Sequence, residues 1–248
     1  MGMIGAGIIG GHIVRRALAE EAFLVAFVVE RDEAKARELG VPYRPARPGG
    51  PYPVDLVVEA AEPSALKEHA LAVLAETDLL PFSLTAFADP EFEEAILKVG
   101  RRCRTRIRIP HGAIVGLDGL WDARAILTQV RVTSTKPPHA FGRADTARTV
   151  FYEGPARQAC RAYPRNVNVH AAAALCGIGF DRTVSTLIAD PDCRTLQHFI
   201  EAKAGGVDFS VRVASRSTGG VTGWYTPESA YQTVKRLCAE GGPGMRLA

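Results

Sequence analysis

Residues 23–29 and 54–61 are nearly continuous apolar runs. Runs of this length suit parallel strands buried on both faces, where polar alternation disappears. Helices are read around them over residues 8–20 and over the short segment 32–40 that stops at Gly40. Over 63–76 the apolar positions recur at helical spacing, and Leu66, Ala70, Val73 and Leu74 share one side. Asp89-Pro90 prepares a further helix over 91–99, with Asp as N-cap and Pro in the first position. The Pro/Gly-rich stretch 42–53 reads as a loop and 105–109 as another strand. Strand–helix alternation of this kind predicts an α/β fold with a doubly wound parallel sheet. After Pro110 the pattern changes. Val130, Val132, Ser134 and Lys136 alternate with Gln129, Arg131, Thr133 and Thr135, as in a half-buried strand. Strands are also predicted over 149–154, 183–190, 196–204 and 207–216, the last two joined across Gly205-Gly206 by a tight hairpin. The Ala-rich segment 166–176 reads as helix, and Thr226-Pro227-Glu228 starts a final helix that runs to about residue 239. The expected organisation is a first domain over 1–110 and an α+β domain with a mixed or antiparallel sheet over 111–225. Residues 226–248 are expected to pack back on the first domain.

The first strand ends in Ile4-Gly5-Ala6-Gly7-Ile8-Ile9-Gly10, a G-x-G-x-x-G turn, and an acidic residue, Glu30, closes the next apolar run. Strand, glycine turn, helix, strand and carboxylate in this order are the context of a dinucleotide-binding (Rossmann) domain. Gly5 permits the tight turn, Gly7 lets backbone approach a pyrophosphate, and Gly10 lets helix and strand pack closely. The helix start, with Ile8 and Ile9, then faces the phosphates with unpaired N–H groups. Ala61 and Ser83 are further expected cofactor contacts. Glu30 repels a 2′-phosphate and favours NAD, while Arg31 beside it leaves NADP open.

The chain has 248 residues and a formal net charge of +3, too little to imply nucleic acid. The arginines at 101, 102, 104, 106 and 108 read as the solvated side of an edge strand, with no nucleic-acid module beside them. Five cysteines, an odd number with no C-x-x-C, argue against a disulfide framework and a zinc cage. No apolar run reaches membrane-spanning length, and no leader is expected ahead of the first strand. The expectation is a cytoplasmic protein without metal, nucleic-acid or membrane partners.

Three segments could carry chemistry. His111-Gly112-Ala113-Ile114-Val115-Gly116-Leu117-Asp118 lies at the domain junction, where small residues let backbone approach a flat ligand or serve as a hinge. Tyr163-Pro164-Arg165-Asn166-Val167-Asn168-Val169 precedes the Ala-rich helix; one Asn can cap that helix, and the second needs another reason. On residues 196–204, His198 shares the apolar face with Leu196, Ile200 and Ala202. It is either a core histidine or a proton-transfer group. His12, His69, His139 and His170 stand in no such pattern.

Together these segments resemble the L-aspartate dehydrogenase family. The matching pieces are Gly5 to Gly10, Asp55-Leu56-Val57-Val58-Glu59-Ala60-Ala61, Gly112-Ala113-Ile114, Gly116-Leu117-Asp118, Lys136-Pro137-Pro138, Tyr152-Glu153-Gly154, Pro164-Arg165-Asn166-Val167-Asn168-Val169, Ala189-Asp190-Pro191 and His198. The resemblance implies NAD(P)-dependent oxidation of aspartate to iminoaspartate, which hydrolyses to oxaloacetate and ammonia and can feed NAD synthesis. It also implies His198 as the active-site histidine and Ala113 and Asn168 as nicotinamide-nucleotide contacts. We expect Lys136, His111 and Asn166 to face the small amino-acid substrate, and a homodimer built on the second sheet. The chain departs from the family pattern at Thr85, His111 and Val115 and before the last helix. A different substrate and a catalytically silent NAD(P)-binding protein are therefore alternatives.

Overall fold

The computed structural model describes residues 1–47, 49–217 and 222–239. Its first half alternates β1 (Gly2–Ile4), α1 (Ile8–Glu20), β2 (Phe27–Glu30), α2 (Glu33–Arg37), β3 (Tyr43–Pro45), β4 (Leu56–Glu59), α3 (Pro63–Leu74), β5 (Asp78–Pro81) and α4 (Pro90–Cys103). A 3₁₀ turn, Leu84–Ala88, links the last two. The five strands form one parallel sheet in the order β3-β2-β1-β4-β5. This is the doubly wound arrangement, whose switch of direction beside β1 opens a crevice at the strand C-termini. Successive residues serve opposite layers. Met3, Val28, Val58 and Leu80 face a core that includes Ile13, Val14 and Tyr231, while Ile4, Val29, Val57 and Leu79 face one that includes Leu66, Val73 and Ile96. Two-sided burial explains the unbroken apolar runs that mark β2 and β4.

The second half runs α5 (Leu117–Ala123), β6 (Leu127–Lys136), β7 (Thr149–Pro155), α6 (Ala156–Ala162), α7 (Asn168–Cys176), β8 (Thr183–Ala189), β9 (Leu196–Ala204), β10 (Val207–Ser215) and α8 (Tyr225–Cys238). Its mixed sheet has the order β10-β9-β6-β8-β7, with β6 and β8 parallel and the other pairs antiparallel. Gly206, at φ +84°, turns the β9–β10 hairpin. α7 lies on the inner face of this sheet. Ala171, Ala172, Ala173 and Ala174 are all buried, and their small side chains let helix and sheet approach. That core continues into the α3–α4 side of the first sheet. α8 returns to the first half, where Ala230, Tyr231 and Val234 join the layer under α1.

Several expectations need correction. The strand predicted over 23–29 begins only at Phe27, and Leu24 is 79% exposed. The loop predicted over 42–53 contains β3, an edge strand too short to show a pattern. The strand predicted over 105–109 reduces to a bridge between Ile107 and Leu79. β5, α5 and α6 were not anticipated, because four or seven residues carry too little periodicity. Asp89 does cap α4, accepting from the Glu91 amide at 3.1 Å. Residues 240–248 of the expected last segment lie outside the described residues.

Candidate active site

The first part of the site is the glycine turn. Gly5 holds φ +92°, and a Cβ there would stand 2.8 Å from the Ala60 carbonyl oxygen. A Cβ on Gly10 would run into the Gly5 carbonyl, so α1 lies directly against the turn. Gly7 caps α1 without any side-chain hydrogen bond, and a Cβ on it would meet nothing within 4 Å. The first N–H groups of α1 therefore open onto a groove of about 860 Å³ lined by Gly5, Gly7, Glu30, Arg31, Ala61 and Glu62 among others. Glu30 is held across the turn by the amides of Ala6 (2.7 Å) and Arg31 (2.9 Å). The Arg31 guanidinium pairs with Glu62 at 2.8 Å.

A second cleft, of about 640 Å³, adjoins this groove at the start of α1, since Gly7 lines one and Ile9 the other. Seven residues singled out from the sequence meet in it: Ile9, His111, Ala113, Lys136, Asn166, Asn168 and His198. Three expected contacts line neither space. Ile8 is half exposed at the helix start, and Gly10 is consumed by packing. Ser83 gives its amide (3.1 Å) and its hydroxyl (2.8 Å) to the buried Glu59 carboxylate.

β6 and β9 supply Lys136 and His198 to the cleft. Their register sets Ser134 opposite His198, on the face that Val132 and Ile200 line elsewhere. Ser134 Oγ lies 2.8 Å from His198 Nδ1, which leaves Nε2 as the ring nitrogen facing the cleft. Two residues on, Lys136 is 1% exposed, and its Nζ donates to the Asn166 carbonyl at 3.1 Å. A buried ammonium is desolvated, which lowers the Lys136 pKa to about 8. Burial, and then the charge of Lys136, holds His198 well below its ordinary value, so the ring is neutral. Burial likewise lowers His111. Glu59, at the end of β4, is pushed up to about 7 by desolvation, against the pull of the Ser83 and Ala61 hydrogen bonds.

Neither Asn caps α7, whose N-cap is Val167. Asn168 Oδ1 accepts from the Thr85 amide at 3.3 Å, joining the second sheet's helix to the 3₁₀ turn after β5. Asn166 Oδ1 is buried without a partner while its residue lines the cleft. An orphan buried acceptor is costly unless a ligand N–H meets it.

Sequence reasoning missed His170. It lies in α7 with Nε2 2.7 Å from Ser134 Oγ and Nδ1 2.8 Å from Ser185 Oγ. The available signal was a pair of serines on inward strand positions, Ser134 and Ser185, each of which needs a buried partner. Glu59 was quoted only as part of a motif. A carboxylate inside an apolar strand is itself a signal, because burying a charge requires dedicated donors.

The chemistry of these surfaces suits a dinucleotide. An uncapped helix N-terminus with an open Gly7 suits a pyrophosphate, Glu30 suits ribose hydroxyls, and the Asn166 orphan acceptor suits an amide or ammonium donor. Comparison with known proteins agrees. Residues 5–110 match the family described as homoserine dehydrogenase, NAD binding domain, and residues 118–237 match aspartate dehydrogenase, C-terminal. L-aspartate dehydrogenase 1 of Bordetella pertussis is 36% identical over 86% of each chain, and L-aspartate dehydrogenase of Methanosarcina acetivorans is 31% identical over 96% of each. The crystal structure of aspartate dehydrogenase from Thermotoga maritima superposes with a TM-score of 0.82 at 27% identity, covering 99% of this chain and 98% of that one. With this fold, this site and these relatives, the chain belongs to the L-aspartate dehydrogenase family of NAD(P)-dependent oxidoreductases.

Proposed function

We propose that the protein oxidises L-aspartate to the imino acid, which water converts to oxaloacetate and ammonia, with residues 1–110 and α8 holding NAD and residues 111–225 holding the substrate. The carrying observation is the convergence of His198, Lys136, His111, Asn166 and Asn168 on one cleft that adjoins the glycine-turn groove. When bound, the cofactor supplies the hydride acceptor. Gly5, Gly7 and the start of α1 would hold its phosphates, and Glu30 its ribose. Ala113 and Asn168 would bound the nicotinamide end. Arg165, also on the cleft wall, offers fixed charge to a substrate carboxylate. The Lys136 amine, with its pKa near 8, accepts the proton that the substrate ammonium must release. His198 Nε2 faces the cleft, where it can touch the bound substrate.

Glu30 and the pairing of Arg31 with Glu62 support NAD over NADP, because a 2′-phosphate would meet two carboxylates. The five free cysteines support a reducing, cytoplasmic setting, and no helix among the described residues is long and apolar enough to cross a membrane. The outward face of the second sheet is the surface we assign to a homodimer, which light scattering would report as twice the chain mass. The test of function is a screen of L-amino acids with NAD and with NADP. Reduction of NAD by aspartate well above all other amino acids is expected. Tight NAD binding with no amino acid oxidised would overturn the reading.

A further inference from the structure

A four-membered chain runs inward from the cleft. Ser134 Oγ stands between His198 Nδ1 (2.8 Å) and His170 Nε2 (2.7 Å), and Ser185 Oγ ends the chain 2.8 Å from His170 Nδ1. His198 is 6% exposed and the other three are 0% exposed. Among the described residues, Ser185 Oγ has no hydrogen-bond partner besides His170. Each hydroxyl has one proton to donate, and each neutral imidazole carries one N–H. Two concerted arrangements follow.

In the first, Ser185 donates to His170 Nδ1, His170 Nε2–H donates to Ser134, and Ser134 donates to His198 Nδ1. Every proton of the buried chain then has an acceptor, and the hydrogen of His198 sits on Nε2, toward the cleft. In the second, each bond is reversed. His198 Nδ1–H donates to Ser134, Ser134 to His170 Nε2, and His170 Nδ1–H to Ser185, whose own hydroxyl proton is left in an apolar interior with nothing to receive it. A buried donor without a partner is strongly disfavoured, so the first arrangement prevails. A charged ring is disfavoured as well: burial and the neighbouring Lys136 ammonium hold both imidazoles neutral, His170 at about 3.

We propose that Ser185, His170 and Ser134 fix His198 as its Nε2–H tautomer, so that His198 offers a hydrogen to an oxygen of the bound substrate and does not accept the ammonium proton. A carboxylate oxygen of an amino-acid substrate is the matching partner. This deepens the reading of the cleft as an amino-acid site and leaves Lys136 as the proton acceptor there. Ser134 and His170 are positioning residues, since they act only through His198.

The test is nitrogen-15 histidine labelling with long-range hydrogen–nitrogen correlation spectra of the full chain at mildly alkaline pH, without cofactor or substrate. His198→Gln assigns the signals. The wild type should show His198 bare at Nδ1 and hydrogen-bearing at Nε2, with His170 the same. Ser185→Ala removes the donor that biases the chain, and Ser134→Ala uncouples His198. In both, the Nδ1–H form of His198 should become populated. In Ser134→Ala, kcat should fall about tenfold while the KM for NAD stays within about twofold. A wild-type His198 with its hydrogen on Nδ1, or a tautomer ratio unmoved in both serine variants, overturns the proposal. The spectra are read on ligand-free protein, so this outcome is separate from the substrate screen.

Discussion

At the residue scale, the cleft is defined by polar groups placed where hydrophobic ones would be expected. Lys136 is the clearest case, because its inward position on β6 was visible in the alternation but its burial was not. A pKa near 8 means the neutral amine gains population as pH rises through that value. The pH profile of kcat/KM should therefore climb through about pH 8 and then level. In Lys136→Met the activity should be lost while NAD still binds. An unchanged profile in that variant would remove Lys136 from proton transfer. Glu59 gives a second, independent prediction. Its pKa is raised from 4.5 to about 7, so the fold favours the protonated form. Its stabilising contribution is complete below 4.5 and is lost as pH rises to about 7, a change of about 3 kcal/mol. Urea unfolding of Glu59→Gln should lack that decline when compared with the wild type across the same window. Arg31 was read as leaving NADP open, yet it is engaged by Glu62. Glu62→Ala should release it and raise the use of NADP relative to NAD, as measured by the ratio of kcat/KM values.

At the element scale, legibility followed length and two-sidedness. β2 and β4 announced themselves as apolar runs because both faces are buried, and β6 and β9 by alternation because one face is. Strand β5 escaped notice because its four residues carry no period of their own, although its pairing with β4 completes the first sheet. The site residues on strands were readable, since alternation says which side chains point inward. His170 was not, because its partners come from β6 and β8, more than a dozen residues away in each direction. Register converts this pattern into a site: one step of slippage between β6 and β9 would send Ser134 or His198 to the opposite face. Helix α1 lies directly against the turn before it, with no room for a side chain at Gly10. Gly10→Ala should push the helix off the Gly5 carbonyl, cost about 1–3 kcal/mol in urea unfolding, and weaken NAD binding more than substrate binding.

At the scale of the whole molecule, the two sheets share an apolar core, and α8 packs against α1 of the first half. Tyr231 is fully buried under α1 and donates from its hydroxyl to Glu20 at 2.6 Å. This closure brings Thr226 of α8 to the cleft that Ile9 and His111 also line. On this reading the groove and the cleft act on one pair of ligands, and His198 touches the bound substrate. The rate of NADH formation from L-aspartate at saturating NAD, measured for the wild type and for His198→Ala, tests this most directly. A fall of about a hundredfold or more, with the affinity for NADH kept, is predicted; equal rates for the two proteins would contradict it.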